Sequence, residues 1–242
     1  MRIARVLVDM PLIPGDEVKL PVSSARHLAQ VLRLRNGDPI ALFNGDGRDF
    51  AATLLSCHKN GTVARVGDAG ADEPESTLNI HLGIGISKGE RMDFALQKAV
   101  ELGVHSMTPL FTTRSVVRLD GERLANRERH WRGIVISACE QSGRRRLPVL
   151  ESAHAFADWL RNAHKGRVLL DHRSPTALRD MVFPEQQITF LVGPEGGLTR
   201  IERSAAQAAG FAAARLGPRI LRTETAPLAA IAAAQTLWGD LG

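Results

Sequence analysis

Several residue types are scarce in this 242-residue chain, and each shortage narrows what the protein can be. Tyrosine is absent and there are only three tryptophans and eight phenylalanines, so extensive stacking of bases on aromatic side chains is not expected. Cysteine occurs only as Cys57 and Cys139, which have neither metal-ligand spacing nor a disulfide framework. The eight histidines are scattered without paired spacing. We therefore predict a protein of a reducing compartment that binds no metal.

Long apolar runs are also missing. None approaches the length needed to cross a membrane, and the N-terminus carries scattered charges rather than the apolar core of a signal peptide. A cytoplasmic protein is therefore expected. Hydrophobic residues make up 44% of the chain, ample for one or two domains. The net charge of +5 fits a polyanionic partner without establishing one.

Residues 1–71 are predicted to form a small β-barrel that carries one helix. The turn sequences Asn44-Gly45-Asp46-Gly47 and Asn60-Gly61 are strong hairpin signals between short β-prone runs. The predicted strands are Ile3–Val8, Pro39–Phe43, Asp49–Leu55 and Thr62–Val66.

The helix of this barrel is predicted at Ser24–Leu34. A serine is expected to cap its start, because serine accepts a hydrogen bond from the first free backbone N–H groups. Leu28, Val31 and Leu32 form an apolar stripe at helical spacing.

The rest of the chain reads as a second, α/β domain, residues 72–242. Residues 67–77 are small and acidic and predict a linker. From Leu78 onward strands alternate with helices, which indicates a parallel sheet covered on both faces. The predicted strands are Leu78–Ile84, Ser106–Leu110, Arg167–Asp171, Ile188–Val192 and Ala212–Leu216. The predicted helices are Arg91–Leu102, Arg123–Gln141, Ala155–Ala163, Thr199–Ala209 and Ala226–Leu241.

A glycine-rich loop, Gly193-Pro194-Glu195-Gly196-Gly197, follows the fourth of these strands. The capping-box pattern at Thr199–Glu202 indicates that the loop opens a helix. Its glycines either satisfy a sharp turn alone or allow close approach of a ligand. A phosphate is disfavoured, because Glu195 would place a carboxylate beside the anion and no Gly-Lys-Ser/Thr follows. A ligand with hydroxyl groups, amines or positive charge suits the loop better.

A second unusual loop runs from Leu216 to Ala226 and opens the last helix. Its apolar residues, which include Ile220 and Leu221, either lie beneath the loop or clasp an aromatic ring, while Arg219 and Arg222 face a polyanion. Two strand-to-helix turns of this kind suggest one ligand site beyond the carboxyl ends of the strands. The final helix is nearly all Ala, Leu and Ile, which is typical of a core or a subunit interface.

Together these motifs resemble the bacterial 16S ribosomal RNA uridine-N3 methyltransferases of the SPOUT superfamily. The resemblance spans essentially the whole chain, because several independent blocks occur in the right order and spacing. Besides the two loops, the blocks are His27-Leu28-x-x-Val31-Leu32-Arg33, Lys88-Gly89-Glu90-Arg91, Gln97-Lys98-Ala99-x-Glu101-Leu102-Gly103, Arg114-Ser115 and the stretch from Trp131 to Arg144.

The resemblance implies a fold and a chemistry that composition could not supply. It implies a C-terminal domain folded into a deep trefoil knot that holds S-adenosylmethionine (SAM), and an N-terminal barrel similar to PUA RNA-binding domains. It also implies a homodimer whose substrate is a uridine in the decoding region of 16S rRNA in the small ribosomal subunit. General rules of topology would have excluded a knot.

The same resemblance supplies the candidate site residues. Arg222 is expected to stabilise a developing uracil anion, and Glu195 or Glu224 to accept the proton of N3. The open alternatives are a salt bridge for Arg222 and a structural carboxylate at a helix N-terminus for Glu195. The expected SAM-binding residues are Leu170, Gly193, Gly197, Leu216, Gly217, Ile220, Leu221 and Thr225.

RNA contacts are expected from basic residues in both domains. Such phosphate contacts set affinity and register rather than sequence choice. The run Arg144-Arg145-Arg146 is alternatively an ordinary solvated surface. The expected RNA-binding residues are Arg26, His27, Arg33, Arg35, Lys88, Arg91, Arg114, Arg144, Arg145 and Arg146.

Two other functions stay open at this point. One is an RNA-binding assembly factor that keeps the fold but has lost the chemistry; its sign would be erosion of the glycines or of Arg222, and neither is eroded. The other is a nucleotide-binding enzyme that uses the first glycine loop for phosphate, which the missing Lys-Ser/Thr opposes.

Overall fold

The structure, a computed structural model, describes residues 3–58, 61–74, 76–115, 120–162, 165–182 and 186–242. The chain forms two compact units. The first comprises Met1–Pro74 with Ile136–Leu147, and the second comprises Glu75–Val135 with Pro148–Gly242. The predicted boundary between residues 71 and 72 stays a prediction, to which the structure adds that segment 136–147 packs with the first unit.

The first unit is built on a mixed five-stranded sheet in the order β1-β3-β4-β5-β2. β1 pairs with β3 in parallel and the other pairs are antiparallel, so residues 44–47 join two antiparallel strands as predicted. β5 continues to Ala69, so the first residues of the predicted linker belong to a strand. The strands are β1 Ala4–Leu7, β2 Glu17–Lys19, β3 Pro39–Phe43, β4 Phe50–His58 and β5 Gly61–Ala69.

The helix of the first unit differs from its prediction in an informative way. It consists of α1, Val22–Arg26, followed by a π-helical turn, His27–Val31. The predicted serine cap is wrong, since Pro21 precedes the helix and no side chain caps it. Leu28 is 1% exposed, but Val31 and Leu32 are 65% and 41% exposed, so the predicted apolar stripe is also wrong.

The π-helical turn explains why the stripe breaks. The backbone N–H of Leu32 donates to the carbonyl of His27, five residues earlier rather than four. The extra residue in this turn breaks the regular α-helical spacing on which the predicted stripe of Leu28, Val31 and Leu32 depends. Spacing of three and four residues places side chains on one face only while the helix keeps its α geometry.

The second unit contains a seven-stranded sheet in which every pairing is parallel, as predicted. Its path is β12-β10-β11-β6-β7-β8, with β9 also beside β7. The strands are β6 Asn79–Gly85, β7 Ser106–Phe111, β8 Val149–Leu150, β9 His154–Ala155, β10 Arg167–Leu170, β11 Gln187–Val192 and β12 Ala212–Ala214. The helices are α2 Glu90–Glu101, α3 Gly121–Ser142, α4 Phe156–Leu160, α5 Arg200–Ala208 and α6 Thr225–Trp238, with a 3₁₀ turn at Leu178–Asp180. Residues 136–142 of α3 belong to the first unit.

The central strands of this sheet carry continuous apolar runs. Residues 188–192 of β11 are all buried, and β6 is buried at every position from Leu82 to Gly85. Such runs, rather than an alternating pattern, mark strands that are covered on both faces. Because all strands are parallel, β6, β10, β11 and β12 end at the same edge of the sheet. The α/β fold class predicted from the sequence is confirmed.

Candidate active site

The glycine-rich loop leaves β11 at Gly193 and enters α5 through the predicted capping box, which is confirmed. The Glu202 N–H donates to Thr199 Oγ1 over 3.1 Å, and the Thr199 N–H donates to Glu202 Oε2 over 2.7 Å. Glu202 Oε1 accepts a further 2.7 Å bond from the Thr113 N–H. Burial opposes ionisation of Glu202, but these N–H donors outweigh burial and lower its pKa. The Glu202 carboxylate therefore stays charged and holds the start of α5 to Thr113.

Two glycines shape the loop for different reasons. Gly197 has a φ of +66°, which only glycine adopts without strain, although a Cβ there would meet nothing within 4 Å. A Cβ on Gly193 would instead lie 2.8 Å from the Leu198 nitrogen, because the loop folds back on itself. Gly197 thus serves the backbone conformation, and Gly193 serves a close approach within the loop.

The second loop is tied directly to the first. Thr223 Oγ1 donates to the carbonyl of Gly193 over 2.8 Å, and Ser87 Oγ lies 3.4 Å from Thr223 Oγ1. Ser87 follows β6, and Gly85 at the end of that strand lets Pro194 approach to 2.5 Å of where a Cβ would be. Segments that follow β6, β11 and β12 therefore meet in one place. The expectation of a single site built from two loops agrees with this geometry.

Two carboxylate oxygens in these loops are buried without a partner. Glu195 Oε1 accepts a 2.7 Å bond from the Lys88 N–H and lies 3.6 Å from Arg91 Nη1. Glu195 Oε2 and Glu224 Oε2, however, have no hydrogen-bond partner within the described part of the chain. A buried acceptor left unpaired costs about 1–3 kcal/mol. Both oxygens are therefore ready to accept from a ligand that carries N–H or O–H donors.

Arg222 is exposed and belongs to the second loop, Leu216 to Ala226. Its carbonyl accepts bonds from the backbone N–H groups of Thr225 and Ala226, which begin α6. In the described ranges its guanidinium has neither a hydrogen bond nor an ion pair, so the alternative of a loop-stabilising salt bridge finds no support there. The charge is free to face a substrate.

Gly193 and Gly197 of the glycine-rich loop are described above, and the other predicted SAM-binding residues lie in three places. Leu170 ends β10, paired with Ala214 of β12. Ile220 is 76% exposed, Leu221 is half-buried, and Thr225 is the first residue of α6. Leu216 and Gly217 line a cavity of about 420 Å³, together with Ala177, Leu178, Arg179, Arg215, Pro218, Ala233 and Leu237.

Sequence reasoning missed part of this site. Nothing in the local sequence marks Ser87 or Thr223 as a link, because the bond between the two loops joins residues 30 apart. The segment 177–179 was missed as well; it lies beside the end of β12 because the Leu178 N–H donates to the backbone carbonyl of Arg215.

Of the predicted RNA-binding residues, those of the second unit lie around the loops. The Lys88 and Arg91 side chains are exposed at the start of α2. Arg114 donates from Nη1 to the carbonyl of Gly196 over 2.8 Å, so it also supports the glycine-rich loop. In the first unit Arg26, His27, Arg33 and Arg35 are all exposed.

The run Arg144-Arg145-Arg146 has structural partners within the first unit. Arg145 Nε lies 3.1 Å from Asp49 Oδ2, and its Nη1 donates to the carbonyl of Ala71 over 2.9 Å. Arg146 Nη2 lies 3.7 Å from an oxygen of Asp72. The run is half-buried and is therefore not an ordinary solvated face, and its contact with RNA stays a prediction.

Arg5 connects these partners, a role that no local sequence pattern predicts. Its Nη2 donates to Asp49 over 2.8 Å and to the carbonyl of Arg144 over 3.0 Å, while Nη1 donates to the carbonyl of Cys139 over 2.6 Å. Its guanidinium carbon also lies 4.4 Å from the centre of the Phe43 ring. Burial raises the pKa of the Cys139 thiol to about 11, so this cysteine is a packed side chain rather than a nucleophile.

The described residues contain no group of three or more His, Cys, Asp or Glu side chains placed to hold a metal ion. No helix among them is long and apolar enough to span a membrane.

The geometry can be compared with known proteins. The sequence model of the family described as "RNA methyltransferase domain" matches residues 74–235, and that of the "RNA methyltransferase PUA domain" matches residues 20–66. Ribosomal RNA small subunit methyltransferase E of Buchnera aphidicola subsp. Schizaphis graminum is 33% identical, over 99% of this chain and 98% of its own. The enzyme of that name from Bacillus subtilis is 31% identical, over 91% of this chain and 88% of its own.

Solved structures agree with these matches. Ribosomal RNA small subunit methyltransferase E of Neisseria gonorrhoeae, crystallised with SAM, is 44% identical with a TM-score of 0.95, and each chain is covered completely. A methyltransferase from Legionella pneumophila in complex with SAM is 36% identical with a TM-score of 0.96, again over all of both chains. Since the first family model alone covers well over half of the residues, the chain belongs to the RNA methyltransferase family, with a PUA-like first domain.

Proposed function

We propose that the protein is a SAM-dependent 16S rRNA methyltransferase that methylates N3 of a uridine in the decoding region. The observation that carries the proposal is the meeting of the two glycine loops, joined by the Thr223–Gly193 hydrogen bond, with two unpaired buried carboxylate oxygens and a free arginine. Whole-length relatives named as small-subunit rRNA methyltransferases support the reaction class.

The residues present fit SAM as the cofactor. SAM carries an ammonium group and ribose hydroxyls, which are the donors that Glu195 Oε2 and Glu224 Oε2 lack. Leu170, Leu216, Ile220 and Leu221 would supply apolar surface for its adenine. Gly193, Gly197, Gly217 and Thr225 would supply backbone groups, as backbone at a sheet edge and helix start commonly does. When bound, SAM provides a methyl group on a positively charged sulfur.

The residues of this chain then have to make N3 of uracil a nucleophile. N3 is an imide nitrogen that is protonated at neutral pH, so its proton must leave as the new bond forms. The exposed Arg222 would stabilise the negative charge that develops on the uracil ring. Whichever of Glu195 and Glu224 does not bind SAM would accept the proton, an effect worth about 10²–10⁴-fold in rate for a well-placed base.

The proposal includes the rest of the assembly implied by the resemblance. The second unit would form the trefoil knot of the SPOUT superfamily, and two copies would pair through α6, on which Leu237 is 48% exposed. The exposed arginines of both units would face 16S rRNA within the small ribosomal subunit, in the cytoplasm.

A nucleoside map tests the reaction. Small-subunit rRNA from cells with and without this protein is digested to nucleosides, and purified protein is then added back to the deficient subunits with labelled SAM. We expect 3-methyluridine to disappear without the protein and the label to return in that nucleoside alone. Label in a ribose-methylated or carbon-methylated nucleoside would contradict N3 as the target.

A further inference from the structure

We propose that the end of the first unit's helix is an RNA-docking tip in which Val31 and Leu32 press against a nucleotide of small-subunit rRNA while Arg33 holds a neighbouring phosphate. This inference rests on the proposed function only in taking rRNA as the partner. It assigns a contact to two aliphatic side chains that basic-residue counting alone would overlook.

The first observation is apolar exposure where the fold does not need it. Val31 is 65% exposed and Leu32 is 41% exposed, directly next to each other along the chain. The two aromatic residues of the first unit, Phe43 and Phe50, are both buried, at 0% and 5% exposure. Aliphatic side chains that wedge against bases are an established alternative to aromatic stacking. Val31 and Leu32 can therefore fill the role that aromatic residues cannot fill here.

The second observation is backbone strain at the same point. Arg33 has a φ of +55° and is the only residue other than glycine with positive φ in the described part of the chain. The N–H of Leu34 donates to the carbonyl of Leu28 over 2.9 Å and closes the helix around it. Glycine is the usual residue in this left-handed closing position. The arginine side chain is therefore held there despite a conformational cost, a pattern found at functional sites.

The third observation is charge, which selects RNA as the occupant. The tip lies among four exposed basic side chains, Arg26, His27, Arg33 and Arg35, and the described structure gives none of the three guanidinium groups an ion pair. Ile13, another exposed aliphatic residue of this unit, has the opposite setting, because it is 58% exposed but precedes Asp16 and Glu17. The tip combines apolar surface with charge complementary to phosphate.

Apolar and ionic contacts respond differently to salt, which makes the proposal testable. Each phosphate contact releases about one counterion, so its loss flattens the dependence of log K on log salt. An aliphatic contact adds affinity that is nearly independent of salt. The double variant Val31→Ser, Leu32→Ser should therefore weaken binding at every salt concentration without changing the slope.

The experiment measures binding of the full-length protein to small ribosomal subunits from cells that lack it, across a salt series. We expect the double variant to bind about ten-fold more weakly, since burial of a Val or Leu side chain is worth a factor of this size or more. The matched control Ile13→Ser should bind like the wild type. SAM affinity should be unchanged in both. An unchanged RNA affinity in the double variant, or an equal loss in the control, would overturn the proposal.

Variants of Arg33 test the phosphate contact independently. Arg33→Ala and Arg33→Gly should both lower the salt slope by about one counterion. Because glycine relieves the strain at positive φ, Arg33→Gly should unfold at a midpoint equal to or above that of Arg33→Ala. Full RNA affinity in both variants would overturn the role of Arg33. If instead the wild type itself fails to bind the subunits, the proposed function fails rather than this tip.

Discussion

Replacing Thr223 by valine should lower kcat greatly while lowering the stability of the protein only slightly. Valine keeps the branched shape of threonine but puts a methyl group where Oγ1 now donates to the Gly193 carbonyl over 2.8 Å. It also removes the partner that Ser87 Oγ has at 3.4 Å. Thr223 touches neither reactant in our proposal, so it is a positioning residue, and its loss acts through the loop that carries Arg222.

The two expected effects differ greatly in size. Loss of a single intramolecular hydrogen bond costs about 1 kcal/mol of stability, while domains of this size are typically stable by about 5–15 kcal/mol. The variant should therefore stay folded. A displacement of about 1 Å at a reacting group can cost about 100-fold in rate. We therefore expect kcat to fall by about two orders of magnitude, with the KM for SAM changed only a few-fold.

The assay is methyl transfer from labelled SAM to small ribosomal subunits, with kcat and KM measured separately. Thr223→Ser keeps the donor and should restore most of kcat. Thr62→Val is the matched control, because Thr62 is fully buried in the first unit and its hydroxyl donates to the His58 carbonyl over 3.2 Å. It should cost similar stability and leave kcat unchanged. A kcat for Thr223→Val within three-fold of wild type would refute the reasoning, as would a serine variant as slow as the valine one.

Four further outcomes follow from the site and its surroundings. Arg222→Ala should lower methyl transfer by orders of magnitude but leave SAM affinity within a few-fold in calorimetry; near-normal turnover would assign the arginine to loop structure. Gly197→Val should abolish SAM binding in a folded protein, because a β-branched residue cannot hold a φ of +66°, and calorimetry showing unchanged affinity would remove this loop from the site. Light scattering should show a dimer, and a monomer at micromolar concentration would contradict pairing through α6. Burial opposes ionisation of Asp171, but hydrogen bonds from Arg173 outweigh it and lower its pKa below the ordinary value of an aspartate. The stabilisation from the ionised carboxylate is therefore present above the unfolded pKa and is lost as pH falls through the folded pKa; Asp171→Asn should flatten this acid-side loss in unfolding curves.

The features that could be predicted from the sequence are those decided by nearby residues. The alternation of strands and helices after Leu78, the hairpin at residues 44–47 and the capping box at Thr199 all depend on residues a few positions apart. The two glycine loops were recognisable because a sharp strand-to-helix turn with positive φ, as at Gly197 and Gly217, favours glycine.

What could not be predicted depends on partners far away in sequence or on a local change of helix type. The ion pairs of Arg145 and Arg146 join them to Asp49 and Asp72, about 70 to 100 residues earlier, and no local pattern marks such a pair. The π-helical turn at His27–Val31 exposes two residues that ideal α-helical spacing would bury. The Thr223–Gly193 bond needed the sheet to bring two strand ends together.

The first unit combines two segments that are far apart in the chain, so they are synthesised at different times. Asp49 forms an ion pair with Arg5 of β1 and another with Arg145, which is synthesised much later. When residue 74 leaves the ribosome, Arg5 still lacks the carbonyl groups of Cys139 and Arg144 that accept its protons. At typical translation rates the missing segment 136–147 follows about 4–15 s later. The N-terminal part of the nascent chain therefore lacks these partners of Arg5 until segment 136–147 has been synthesised.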